Sequence, residues 1–163
     1  MTVETLNAPA AGDLLACLAA PAWGAAIAAG GPYRDRAGLL AAADAAARQL
    51  SWDDVLLGLS AHPRIGERAA GESKEAAWSR TEQQAAAQSA DAGLKAALVE
   101  ANKLYEDRFG HVFLIFASGR SQSEILEAAR ARLENDETTE RAIVRDELRK
   151  IALLRLERVL DAH

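Results

Sequence analysis

Alanine supplies much of the apolar content of this chain, in runs such as "LLAAADAAARQL" at residues 39 to 50, and that habit narrows the folds open to it. Alanine has the highest helix propensity of any residue, yet its burial removes little apolar surface from water. The 50% hydrophobic content therefore overstates the core, and it predicts helices packed at close range. At 163 residues the chain can bury most of the surface it would expose unfolded, so one compact domain over residues 1 to 163 is expected.

Punctuation divides the chain into helices. Pro9, Pro21 and the Gly30-Gly31-Pro32 run cut the first third into short ones, and "RDRAGLLAAADAAARQL" follows with apolar residues three and four apart. Ser51 caps a further helix, "WDDVLLGLSA", that runs up to His62-Pro63. Ser79, Ser121 and Thr138 or Thr139 are read as three more N-caps, and Gly110 as the C-terminal cap of "DAGLKAALVEANKLYEDRF". The expectation is an all-α fold of about eight helices. One segment stands apart: "HVFLIFA", residues 111 to 117, is a continuous apolar run rich in valine, isoleucine and phenylalanine, the pattern of a buried extended segment. No partner strand is evident, so its backbone groups must be satisfied by a short pairing, by side chains, or by a flat amide-bearing ligand.

Charge and composition exclude several function classes. A net charge of −5, with both signs scattered, offers no basic stripe for nucleic acid. The single Cys17 cannot form an intramolecular disulfide, and no cysteine or histidine spacing suits a structural metal. The apolar start has no basic n-region and is cut by Asp13 and Pro21, so it reads as core helices rather than an export signal; no membrane partner is expected. The C-terminus lacks a Ser-Lys-Leu tripeptide, and the cytoplasm is the expected compartment. There is no Gly-x-Gly-x-x-Gly, no P-loop, no nucleophile elbow and no carboxylate-histidine cluster, so the chemistry expected uses neither metal nor nucleotide.

Three places could carry chemistry. Proline disfavours helical backbone in the residue before it, so His62 stands at a helix end, where it either bonds the last carbonyls or serves as an acid–base group titrating near neutrality. Ser79 and Glu82 have capping-box spacing, and together with Trp78 and Gln83 they could also form a polar pocket floor at a helix N-terminus. In the last helix, expected over residues 139 to 160, Val144, Leu148, Ile151 and Val159 lie on one stripe with Arg155 in its middle. That arginine either snorkels, pairs internally with Glu82 or Glu67, or binds a ligand with its planar fork. The charge runs "RDRAG", "YEDR" and "ENDETTER" are read as solvated faces and caps.

These residues occur within longer motifs. "AHPRIGE" (61 to 67), "WSRTEQ" (78 to 83), "YEDRFGHVFLIFASGRSQSEIL" (105 to 126), "ARLENDETTE" (131 to 140) and "KIALLRL" (150 to 156) resemble, in order and spacing, the OHCU decarboxylase family. The chain departs from it at Gly31-Pro32-Tyr33, where the family commonly has Arg-Pro-Phe, and at Gln84-Ala85-Ala86. The resemblance implies decarboxylation of 2-oxo-4-hydroxy-4-carboxy-5-ureidoimidazoline to (S)-allantoin in urate catabolism, with no cofactor and no metal. It implies that His62 and Glu82 are catalytic. It further implies that Pro63, Ser79, Gln83, Arg155 and the Phe113, Leu114 and Ile115 segment bind substrate. A homodimer is implied, as are urate oxidase and hydroxyisourate hydrolase as pathway neighbours. The alternative reading is a non-catalytic helical module that binds a purine-derived ring or a partner helix.

Overall fold

The computed structural model describes residues 5 to 62 and 92 to 162. Among these residues there are seven α-helices and no strand, as the composition predicts. In chain order they are α1 (Ala11–Cys17), α2 (Pro21–Gly30), α3 (Arg36–Arg48), α4 (Trp52–Leu59), α5 (Ala92–Phe109), α6 (Gln122–Arg132) and α7 (Glu137–Asp161). The chain gathers into two compact units, one of residues 1 to 58 and 145 to 163, the other of residues 59 to 144.

In the first unit, proline opens α2 at its first turn, where a missing N–H costs nothing. Trp23 and Ile27 from this helix are buried with Leu14 and Cys17 of α1 and Leu39, Ala43 and Ala47 of α3. The alanines set the spacing: the Trp23 indole reaches the backbone of α3 and donates to the Ala43 carbonyl at 3.0 Å. Gly58 shows the same economy, since a Cβ there would stand 2.9 Å from Leu148 Cδ2. Asp35 caps α3 by accepting from Gly38 N at 2.8 Å, and Ser51 accepts from Asp54 N at 3.2 Å. A single antiparallel bridge ties Leu6 to Tyr33. On the rim, Arg149 of α7 lies between Asp44 (2.8 Å) and Asp146 (2.7 Å).

In the second unit, Leu98, Ala101 and Tyr105 of α5 and Ile125, Leu126 and Ala129 of α6 enclose Phe113, Ile115 and Ala117. Two of the expected caps are present: Gly110 closes α5 at φ +79°, a conformation open to glycine, and Ser121 with Glu124 forms a complete capping box on α6. One cap differs. The last helix starts at Glu137, two residues before the expected 139, because the Asp136 carboxylate, rather than Thr138 or Thr139, caps it by accepting from Thr139 N at 2.7 Å. That bond holds the Asp136 carboxyl below its usual 3.8.

Candidate active site

His62 follows the turn that ends α4, and its backbone N–H donates to the Leu59 carbonyl at 2.9 Å. The side chain is half-buried, with Nε2 shielded from solvent. Pro63, Trp78, Ser79, Glu82 and Gln83, and with them Glu67, lie outside the described residues.

The segment after α5 is built by its two glycine turns. Gly110 redirects the chain and Gly119, at φ +80°, turns it into α6. Between them Phe113, Leu114 and Ile115 are buried, and alternate residues 113, 115 and 117 share one core, the period-two pattern of extended backbone. No ladder pairs this segment among the described residues. Side chains satisfy part of its backbone instead: Arg132 Nη1 donates to the Leu114 carbonyl at 2.6 Å, and Arg120 Nε donates to the Phe116 carbonyl at 3.2 Å. Of the three ways to satisfy this backbone, side-chain contact thus holds at Leu114.

Arg132 belongs to a buried polar group. Its Nε donates to Glu140 Oε1 at 2.7 Å, and Nη2 lies 2.5 Å from the same oxygen, a charge contact too poorly aligned for a second hydrogen bond. The Tyr105 hydroxyl donates to that oxygen at 2.6 Å, while Asn135 Nδ2 donates to Glu140 Oε2 at 3.1 Å. Arg132 and Glu140 are 7% and 1% exposed, so the pair works in a low-dielectric interior. Burial, reinforced by the Glu140 carboxylate, pushes the Tyr105 hydroxyl far above its usual range, and it stays a donor. The guanidinium also lies over the Phe113 ring, 4.6 Å from its centroid.

This group corrects the reading of "YEDR" and "ENDETTER" as wholly solvated: Tyr105 and Glu140 are core residues. Periodicity carried the signal. Glu140 lies four residues before Val144 on the stripe that holds Arg155, and Arg132 continues the buried stripe of Gln122, Ile125 and Ala129 on α6.

Arg155 is completely buried, on one face of α7 with Val144, Leu148, Ile151 and Val159. That excludes the snorkelling alternative, whose charged head would reach water. Such a cation needs compensation by hydrogen bonds or opposite charge. Among the described residues no helix is long and apolar enough to cross a membrane.

A family model described as OHCU decarboxylase matches residues 6–157. Over 133 residues the chain is 35% identical to the uric acid degradation bifunctional protein TTL of Arabidopsis thaliana, covering 80% of this chain and 41% of that one. Over 101 residues it is 36% identical to the 2-oxo-4-hydroxy-4-carboxy-5-ureidoimidazoline decarboxylase of Amia calva, covering 61% and 58%. The chain thus spans about half the length of these curated relatives. Its fold matches a crystal structure of OHCU decarboxylase in the presence of (S)-allantoin, with a TM-score of 0.79, 29% identity, and coverage of 91% of this chain and 97% of that one. An (S)-allantoin synthase structure shares the fold at a TM-score of 0.64 and 20% identity, over 90% of this chain and 48% of that one. With its matched motifs spread from one end to the other, the chain belongs to the OHCU decarboxylase family.

Proposed function

We propose that the whole chain, residues 1 to 163, acts as a single decarboxylase domain, a carboxy-lyase that converts 2-oxo-4-hydroxy-4-carboxy-5-ureidoimidazoline to (S)-allantoin and carbon dioxide. The family match over residues 6–157 carries this reading. The substrate's own chemistry supports a reaction that needs no cofactor. The carbon that bears the carboxylate adjoins a carbon–nitrogen double bond, so the electron pair released with carbon dioxide forms a carbon–carbon double bond and pushes the carbon–nitrogen π pair onto the ring nitrogen, which takes up a proton. The 4-hydroxyl then loses its proton to become a carbonyl, and a proton arrives at the ureido-bearing carbon, where one face must be chosen. What remains for the protein is orientation, charge stabilisation and a directed proton.

In this proposal His62 bonds the 4-hydroxyl and moves protons. Glu82 orients His62 or meets the leaving carboxylate, and Arg155 anchors a carbonyl or carboxylate of the substrate with its fork. Pro63, Ser79 and Gln83 line the pocket, and the backbone of Phe113, Leu114 and Ile115 serves the ring amides. The shielded Nε2 of His62 and the wholly buried Arg155 are the features that suit these roles. The protein is further proposed to work as a cytoplasmic homodimer downstream of urate oxidase and hydroxyisourate hydrolase.

The test generates the unstable substrate in situ from urate with those two enzymes and follows the circular dichroism of (S)-allantoin. Addition of this protein is expected to accelerate the signal. Formation at the uncatalysed rate would favour the binding-module reading.

A further inference from the structure

We propose that Arg132, anchored by Glu140 and Tyr105, is a positioning residue that occupies one edge of the 113–115 backbone and presents the opposite edge, that of Phe113 and Ile115, to the substrate ring. The inference rests on the decarboxylase reading and sharpens it. In extended chain the N–H and C=O of one residue point to the same edge and those of its neighbours to the other. The Leu114 carbonyl is held at 2.6 Å by Arg132 Nη1, so the Leu114 edge is taken by a protein cation. The groups that remain for flat amide recognition are those of Phe113 and Ile115.

The geometry around Arg132 fixes this register from both sides. Its guanidinium covers the Phe113 ring at 4.6 Å while it grips the next residue's carbonyl. Its far side is fixed by Glu140, which itself holds Tyr105 at 2.6 Å and Asn135 at 3.1 Å. Side chains from the ends of α5 and α6 thereby meet on the Glu140 carboxylate in the first turn of α7, and Arg132 reaches on to the Leu114 carbonyl. A buried ion pair is weak as a source of stability compared with apolar packing, and its use here is to define one geometry. Lysine could not substitute, since a single ammonium lacks the planar fork that spans Glu140 and the Leu114 carbonyl together.

Arg132→Lys separates positioning from plain stability, with (S)-allantoin as the probe. In the folded variant, KM and the inhibition constant of (S)-allantoin are expected to rise about tenfold while kcat falls less than about threefold. A merely structural role would lower the amount of active protein and leave both constants of the folded fraction unchanged; that result overturns the proposal. Where Arg132→Lys does not fold, Tyr105→Phe, which leaves the ion pair and frees one side of Glu140, carries the same comparison with a rise of about threefold expected and an unmoved KM overturning it. Wild-type turnover is measured alongside: its absence removes the decarboxylase reading itself, whereas normal wild-type turnover with unmoved variant constants removes only the positioning role.

Discussion

The His62 ring has one nitrogen shut away from water, a placement that suits a group proposed to hand protons to a single substrate. If His62 does so, His62→Asn lowers kcat by about 10²–10⁴-fold while far-UV circular dichroism stays that of the wild type, and an unchanged rate removes it from the mechanism. Arg155 offers a different contrast. Removing one member of a compensated buried charge group strands its partners, so Arg155→Met is expected to destabilise the fold by about 3–5 kcal/mol, read as a lower melting temperature. Loss of a charged hydrogen-bond donor to substrate should also raise KM by about 10- to 100-fold. An unchanged KM in whatever remains folded would make Arg155 structural. This arginine was legible in sequence because it interrupts an apolar stripe. Glu140 belongs to the same stripe and was hidden, because a charged residue inside a run of charged residues reads as surface unless the stripe is extended back to it.

At the level of elements, the helices were legible because their ends are chemically marked: Ser51, Gly110 and Ser121 each stop or start a helix by satisfying a backbone group. The last helix was misplaced by two residues since aspartate and threonine compete for the cap, and Asp136 wins. What periodicity could not supply is the partner of the 113–115 backbone. That depends on Arg132, eighteen residues beyond Leu114, and on which helix faces it. The contact of α3 with α7 through Arg149 gives a pH prediction. Burial works to raise the Asp44 and Asp146 carboxyls, but bonds from Arg48 and Arg149 to the first, and from Arg149 and Lys150 to the second, hold both below 3.8. Groups depressed in the folded state stabilise it fully above the unfolded value and lose that contribution as pH falls through the folded one. Urea midpoints are therefore expected to hold steady from neutrality to roughly pH 5 and to decline below roughly pH 4. Arg149→Met should flatten that decline, and an equally steep one in the variant would exclude this cluster as its source.

For the molecule as a whole, family membership was readable from motifs spaced along nearly the entire chain, while its assembly was not, because the exposure of single residues does not say what covers them. Light scattering is expected to return twice the 17.4 kDa mass of the chain, and a monomer at micromolar concentration would end the dimer proposal. The indole of Trp23, wholly enclosed and bonded to α3, has a use beyond packing. It is a fluorophore in the first unit, whereas Tyr105, ringed by Phe109, His111 and Phe113, is a near-ultraviolet chromophore in the second. With Trp52 and Trp78 replaced by phenylalanine, emission comes from Trp23 alone, so its red shift would announce the loosening of the first unit.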